Sequence, residues 1–188
     1  MKILYDPKIF YLQKYGGISK YFINLCNKIK LSHDAKIIAP IYTNSYLDKV
    51  DNKNKLTIFK LQKHYKYTRS ASNLINNYFF SNYCSFKKPD LVHLTYFDRQ
   101  VNFKKKFKII ITVYDLIHEI YEKKFDFKYP KNFKLNYINI ADHIICISEN
   151  TKKDLIRYYK VDEKKITVTH LGVNTEKNYK EIENICLK

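Results

Sequence analysis

The chain has 188 residues, of which 45% are apolar and 16% aromatic, and it carries a formal net charge of +17. This composition predicts one globular domain of ordinary size and excludes an intrinsically disordered chain. No apolar run approaches the ~20 residues that cross a bilayer, and the first ten residues lack the pattern of a signal peptide.

Short apolar runs alternate along the chain with segments of helical periodicity. The apolar runs predict strands at Lys2–Asp6, Lys36–Ile41, Leu56–Leu61, Asp90–Thr95, Phe107–Val113, His143–Ser148 and Lys165–Leu171. The periodic segments predict helices at Ile18–Leu31, Ala71–Tyr83, Asn132–Ala141 and Asn150–Tyr159. Continuous runs such as KIIITV are typical of strands that are buried on both faces of a parallel sheet. The alternation therefore predicts an α/β fold with a doubly wound, mostly parallel sheet.

Two of the three glycines in the chain, Gly16 and Gly17, stand side by side between the first predicted strand and the first predicted helix. Strand-to-helix turns are where α/β proteins hold phosphates and other ligands. A tight turn that only reverses the chain would also use glycine. From position alone, the two interpretations are equally well supported.

In an open parallel sheet, ligands bind beyond the carboxyl ends of the strands. Besides the glycine pair, the topology would gather polar and aromatic residues at this edge: Thr95–Asp98, Tyr114–Glu119, Ser148–Asn150 and His170–Gly172.

Four scattered cysteines, at positions 26, 84, 146 and 186, form no C-x-x-C pair, which favours reduced thiols in a cytoplasmic protein. His143 and Cys146 would point to opposite faces of a strand, so no metal site is expected.

Four motifs, in this order and at these distances, resemble the N-terminal domain of the family 4 glycosyltransferases: KYGGISKYF, ITVYDLIHE, ADHIICISENTKKDL and ITVTHLGVN. The resemblance runs from residue 2 to about residue 174. It implies the N-terminal, Rossmann-like half of a GT-B fold, in which two such domains face each other across a cleft. It further implies a retaining enzyme, of hexosyltransferase type, that moves a sugar from a nucleotide-sugar donor to a glycan or lipid-linked acceptor in cell-envelope polysaccharide synthesis.

The resemblance implies roles for particular residues. Gly16 and Gly17 match the family's double glycine, where bare backbone approaches the donor diphosphate and the acceptor. Tyr114 and Asp115 are the expected catalytic pair, although many family members carry histidine at the position of Tyr114. A phenol donates a hydrogen bond but does not accept a proton near neutral pH, which weakens a histidine-dependent role more than the activity itself.

Two further pairs are expected to bind substrate. His118 and Glu119 follow the catalytic pair in a pattern that the family shares, and a capping or supporting role in the loop is an equally good interpretation. Ser148 and Glu149 match the family's serine at a strand-to-helix turn that faces the cleft. Ser148 would also serve as a plain helix N-cap whether or not a ligand binds.

The resemblance divides the chain into a domain at residues 1–174 and a tail at 175–188 that leads towards an absent C-terminal domain. In the family that domain supplies most contacts to the donor, so the partners expected are a nucleotide-sugar donor, a glycan or lipid-linked acceptor, and a C-terminal glycosyltransferase domain on another chain. No cofactor is expected, since the nucleotide-sugar is a substrate. No metal is expected either, since the family needs no bound metal in its fold. We expect the isolated chain to transfer sugar poorly, because the leaving diphosphate needs electrostatic stabilisation.

The positive charge comes from 32 Lys and only 3 Arg. Part of this charge reflects a general enrichment in Lys along the chain, without a binding partner behind it. A strongly basic surface nevertheless favours anionic partners. Membrane contact is expected from Lys60, Lys63, Lys66 and Arg69, which would hold the protein on the inner face of the membrane. Leu74, Ile75, Tyr78, Phe79 and Tyr83 form a stripe at helical spacing that would lie in the headgroup layer or pack on the sheet. The alternative to an enzyme is therefore a non-catalytic basic module that docks on anionic membranes or polymers. Nucleic-acid binding is not expected, because the chain contains no recognised module.

Overall fold

The computed structural model describes residues 1–62, 66–97, 107–121 and 134–172 of the chain. In these ranges the strands are β1 (Lys2–Tyr5), β2 (Asp34–Ile38), β3 (Ile41–Tyr42), β4 (Lys55–Leu56), β5 (Phe59–Lys60), β6 (Leu91–Leu94), β7 (Lys108–Val113), β8 (His143–Cys146) and β9 (Ile166–Val168). The α-helices are α1 (Lys8–Leu12), α2 (Gly17–Ile29), α3 (Lys66–Lys87), α4 (Ile117–Ile120), α5 (Leu135–Ile140) and α6 (Glu149–Tyr159). Single 3-10 turns lie at Leu47–Lys49, Asn52–Asn54 and Glu163–Lys165.

Seven strands form one sheet in the order β4-β2-β1-β6-β7-β8-β9, and every neighbouring pair is parallel. The prediction of a mostly parallel sheet of about seven strands is confirmed. From β1 the chain builds outward through β2 and β4, then returns to the other side of β1 and continues from β6 to β9. The strand order therefore reverses between β1 and β6, and such a reversal opens a crevice at the carboxyl ends of the two strands.

Side chains from alternate positions of the strands enter two separate cores. One core holds Ile3 and Tyr5 of β1 together with Phe22 and Cys26 of α2. The opposite core holds central-strand residues with the buried sides of three helices: Leu4, Val92, Ile111, Phe80, Ile138 and Leu155. Helices therefore cover both faces, which confirms the doubly wound, Rossmann-like class. Cys26, Cys84 and Cys146 are buried free thiols, as expected, and Cys186 lies outside the described residues.

Several element boundaries differ from the sequence-based prediction. The predicted strand at Leu56–Leu61 is two strands in different sheets, because β4 joins the large sheet and β5 pairs with β3. Of the basic residues expected to contact a membrane, Lys60 lies in β5, and Lys66 and Arg69 lie in the first turn of α3. The short helix α1 follows β1 directly, so the glycine pair begins α2 but does not follow a strand as predicted.

Helix α3 packs with a different side from the one the stripe predicted. Its buried side chains are spaced four residues apart: Ser72, Asn76, Phe80 and Cys84. Phe79 and Tyr83 of the predicted stripe are half-buried and stack on each other, whereas Leu74, Ile75 and Tyr78 are exposed. Asn76 anchors the helix to the small sheet, because its side chain donates to the Ile41 carbonyl oxygen at 2.8 Å and accepts from the Ile41 amide at 2.9 Å.

Candidate functional site

The crevice between β1 and β6 is closed at its base by the residues that follow the two strands. Asp6 Oδ1 accepts a hydrogen bond from the Thr95 amide at 2.6 Å, and Thr95 Oγ1 accepts one from the Ile9 amide at 3.1 Å. Both side chains are buried, with Thr95 fully covered. These two hydrogen bonds join the ends of the two central strands to the start of α1 at the base of the crevice.

The glycine pair lies where α2 begins. Gly16 is the N-cap, and because it lacks a side chain the helix has no side-chain cap. The first turn also contains no acidic residue, so no carboxylate of the helix occupies the positive end of its dipole. The amide of Ser19 is 3.4 Å from Gln13 Oε1, which is a weak contact. The N-terminus of α2 is thus suited to receive an anion.

The two glycines are not equivalent. A Cβ added to Gly16 would come within 2.1 Å of Gln13 Oε1, so a larger residue at this position requires the Gln13 side chain to shift. A Cβ added to Gly17 would meet no described atom within 4 Å. Neither glycine has a positive φ. The Gln13 side chain therefore gives a packing reason for Gly16, whereas no contact in the described structure explains Gly17.

Tyr114 follows β7 and lies against α2, one helical turn after the glycine pair. Its ring centroid is 6.1 Å from that of Tyr21, and the two rings meet edge to face. The Tyr114 hydroxyl is buried, and no atom of the described residues is within hydrogen-bonding distance of it. Burial, together with the nearby Tyr21 hydroxyl, raises the pKa of Tyr114 well above its usual value. The residue is therefore a neutral hydrogen-bond donor at physiological pH.

Ser148 caps α6, as the second interpretation of this residue predicted. Its Oγ accepts a hydrogen bond from the Thr151 amide at 3.1 Å. Thr151 Oγ1 in turn donates to the Tyr114 carbonyl oxygen at 3.3 Å. Glu149 is exposed in the first turn of the helix. The start of α6 is thus held beside Tyr114, but the hydroxyl of Ser148 is already engaged as the N-cap of the helix.

Asp115 and Glu119 have partners within the chain. Asp115 is exposed, and its Oδ1 accepts a hydrogen bond from the Ile117 amide at 3.1 Å. Glu119 lies in α4, where Oε2 is 3.0 Å from Lys134 Nζ and Oε1 accepts from the Tyr159 hydroxyl at 2.7 Å. Lys134 also donates to the Asp115 carbonyl oxygen at 2.9 Å. This arrangement supports the loop after β7, as the alternative interpretation of Glu119 proposed.

The structure thus brings the start of α2, Tyr114 and the start of α6 to one edge of the sheet. His118 lies half-buried in α4, on the same loop as Asp115. Three residues of this region were absent from the sequence-based site: Tyr21, Lys134 and Tyr159. The position of Tyr21, one turn after Gly17 on an amphipathic helix, could have indicated it. Lys134 and Tyr159 carry no local signal, because their roles depend on tertiary contacts.

The four residues expected to contact a membrane are described only in part. Lys60 is exposed and forms an ion pair with Asp48. Lys63 lies outside the described residues, and Lys66 and Arg69 are described only as members of α3. In the described ranges, no helix is long and apolar enough to cross a membrane. In the same ranges, no group of three His, Cys, Asp or Glu side chains could hold a metal ion.

A seven-stranded parallel sheet with this strand order and helices on both faces defines the Rossmann-like class of α/β domains. Within that class, the family model for Glycosyltransferase Family 4 matches residues 15–177. The chain belongs to Glycosyltransferase Family 4. No curated protein matches the chain.

Two solved structures share the fold. The apo form of the lipopolysaccharide outer core galactosyltransferase WaaB matches with a TM-score of 0.58 and 18% identity over 93% of this chain and 46% of its own. A glycosyltransferase from Rickettsia africae matches with a TM-score of 0.58 and 20% identity over 100% of this chain and 50% of its own. The chain therefore spans about half the length of these two glycosyltransferases.

Proposed function

We propose that this chain forms the acceptor-side half of a retaining glycosyltransferase of hexosyltransferase type. It would move a sugar from a nucleotide-sugar to a glycan or lipid-linked acceptor in cell-envelope polysaccharide synthesis, on the cytoplasmic side of the membrane. Gly17 is the observation that carries the proposal, because its missing Cβ leaves open space beside a helix N-terminus whose N-cap residue supplies no side-chain cap. A phosphate or a sugar hydroxyl has the chemistry to occupy that space.

The chemistry of the site fits an electrophilic sugar and a charged leaving group. The first-turn amides of α2 and its dipole would stabilise negative charge on the donor phosphates. The Tyr114 hydroxyl, neutral and without a partner among the described residues, would donate a hydrogen bond to a substrate oxygen. Asp115, exposed next to it, would help to orient the acceptor hydroxyl. Ser148 and Glu149 at the start of α6, and His118, would border the bound sugar.

Donor binding in this proposal also needs a second Rossmann-like domain. The chain corresponds to 46% and 50% of the two structures that share its fold, so the remaining half would come from another chain or a longer protein. That half would supply further positive charge to the diphosphate. No resident cofactor or metal is part of this proposal.

The test is replacement of Gly17 by valine in the enzyme assembled with its C-terminal half. Transfer from a panel of UDP- and GDP-hexoses should be abolished while the unfolding midpoint stays close to that of the unchanged protein. Ala71→Val is the control, since it adds a β-branched side chain at an exposed position of α3, a helix that contributes no residue to the proposed site. Turnover by Gly17→Val equal to that of the control would mean that the glycine pair is only a turn.

The second candidate function is a non-catalytic module that docks on anionic membranes or polymers. The +17 charge favours it, and so does the exposure of Lys60, Lys87 and Lys88 in the described residues. An assembled protein that binds anionic surfaces yet neither binds nor turns over any hexose nucleotide would favour this function over the first. Peripheral membrane association is common to both candidates.

A further inference from the structure

The direction in which Tyr114 can offer a hydrogen bond depends on the orientation of its ring. Its hydroxyl is buried, and none of the residues that the structure describes places a hydrogen-bonding atom within reach of it. The oxygen of a phenol lies in the plane of the ring, so rotation of the side chain moves the hydroxyl with it. Whatever fixes the ring of Tyr114 therefore also fixes the hydrogen bond that this residue offers to a substrate.

The ring of Tyr114 packs against the ring of Tyr21 on α2. The two centroids are 6.1 Å apart and the planes meet at 87°, which is an edge-to-face contact. Aromatic pairs favour this arrangement, because the positive edge of one ring meets the negative face of the other. The attraction depends on the angle between the planes, so a fixed Tyr21 ring restricts rotation of the Tyr114 ring.

Tyr21 is itself fixed by the buried core. Its ring meets that of Phe22 edge to face at 5.1 Å, and Phe22, which is fully buried, meets the ring of His93 at 5.0 Å. Burial raises the pKa of Tyr21, and a hydrogen bond with the Thr112 side chain partly opposes this. Thr112 Oγ1 lies 2.9 Å from His93 Nε2, and both residues are buried on the central strands β7 and β6. The support of Tyr21 thus extends from α2 into the centre of the sheet.

The helix that carries Tyr21 also begins with the glycine pair. Gly17 and Tyr21 are four residues apart, which places them on the same side of α2. Gly17 borders open space, and Tyr21 is half-buried one turn further along the helix. The helix proposed to receive a phosphate at its start therefore also holds the ring that packs on Tyr114. A single rigid element would set the distance between these two parts of the site.

We propose that Tyr21 is a positioning residue, whose ring orients the Tyr114 hydroxyl towards a substrate oxygen and whose own orientation is set by Phe22 and Thr112. This rests on the proposed function, in which Tyr114 donates a hydrogen bond to the substrate. Tyr21 acts through Tyr114 and makes no contact of its own with the reacting atoms. A hydrogen bond weakens steeply as its angle departs from linearity, so a small rotation of Tyr114 is enough to lose it.

The experiment is a double-mutant cycle in the enzyme assembled with its C-terminal half, with UDP- and GDP-hexoses as donors. Tyr21→Leu should lower kcat roughly tenfold and change KM for the donor less than about threefold, since only the transition-state hydrogen bond is misplaced. Tyr21→Phe keeps the ring and should retain most of the kcat. Tyr21→Leu, Tyr114→Phe should lose no more than Tyr114→Phe alone, because no hydroxyl then remains to be oriented.

Tyr83→Leu is the matched control. It removes another half-buried tyrosine ring, which stacks on Phe79 in α3 with 6.2 Å between the centroids. This variant should lose stability as Tyr21→Leu does, yet keep the kcat of the unchanged enzyme. An equal loss of kcat in the two leucine variants would mean that Tyr21 only stabilises the fold. Losses that add in the cycle would mean that Tyr21 contacts the substrate directly. Either result overturns the proposal.

A measurement without turnover tests the ring contact. The full chain with 3-fluorotyrosine at position 114 should give one narrow fluorine resonance, which Tyr21→Phe and Tyr83→Leu should preserve. Tyr21→Leu should broaden or split this resonance, because the Tyr114 ring then takes several orientations. An unaltered resonance in Tyr21→Leu would overturn the proposal whether or not the assembled protein transfers sugar. Absence of transfer by the unchanged assembled protein would instead contradict the proposed function, so the two failures are distinguishable.

Discussion

His93 lies in the centre of the sheet on β6, between the rings of Tyr5 and Phe22, at centroid distances of 5.6 and 5.0 Å. Its Nε2 is 2.9 Å from Thr112 Oγ1 on the neighbouring strand. Burial lowers the pKa of His93 to about 3, so the folded protein keeps the ring neutral down to acidic pH. In the unfolded chain the same ring has a pKa of about 6.5.

The stability of the protein should therefore fall as the pH falls below about 6.5, because the unfolded chain then binds one proton at this site that the folded chain does not. Between pH 6.5 and 4.5 the group should remove about 2 kcal/mol from the free energy of unfolding. Urea unfolding at both pH values should show this loss for the unchanged protein and not for His93→Gln, whose side chain does not titrate. Identical pH dependence of the two proteins would contradict the buried, neutral state of His93.

At the scale of elements, one buried ion pair joins three helices around the loop after β7. Lys134, at the N-cap of α5, contacts Glu119 of α4, and Tyr159 at the end of α6 donates to the same carboxylate. The side chains of Lys134 and Glu119 are only 7% and 14% exposed. The pair holds the loop that carries Tyr114 and Asp115, so Lys134 is a positioning residue for the candidate site.

Replacement of Lys134 by methionine should lower the free energy of unfolding by about 3 kcal/mol, because it leaves the Glu119 carboxylate buried without its cation. The double variant Lys134→Met, Glu119→Gln should lose less than the sum of the single variants, since no uncompensated charge remains. Denaturant unfolding measures both quantities.

Lys152→Met is the matched control, because Lys152 forms its ion pair with Glu163, whose side chain is 70% exposed. A pair of this kind is screened by water, so its loss should change stability much less. If Lys134→Met proved no more destabilising than Lys152→Met, the buried pair would not support the loop.

At the scale of the whole molecule, the chain has a complete parallel sheet with two cores but matches about half of each related structure. The start of α2 offers its dipole and amides to an anion, and its N-cap residue supplies no side-chain cap. In the proposed function, a second domain supplies the further positive charge that stabilisation of a leaving diphosphate needs.

We therefore expect the purified 188-residue chain to bind UDP- and GDP-hexoses weakly, as measured by calorimetry, and to show no appreciable transfer. Addition of a second Rossmann-like domain from the same biosynthetic system should raise both. Robust transfer by the chain alone would show that the residues described here are sufficient for catalysis.

Much of the fold could be predicted from local patterns. Continuous apolar runs such as that of β7 indicated parallel strands, because only strands covered on both faces tolerate an unbroken apolar sequence. Ser148 was predicted as an N-cap from its position before a helical segment, and the structure confirms it. The short helix α1 and the division between β4 and β5 were missed, because elements of two to five residues carry too little periodicity to be recognised.

The candidate site was predictable only as a set of residues that follow strands. By itself, the sequence determined the fold class, the glycine pair at a helix start and the family resemblance, since each depends on residues close together in the chain. Only the tertiary structure decided that Glu119 pairs with Lys134, that a Cβ at Gly16 would meet the Gln13 side chain while one at Gly17 would meet nothing, and which side of α3 faces solvent. The physical reason is that partners and exposure depend on packing between elements that are distant in sequence, and an apolar stripe indicates a contact without identifying what it contacts.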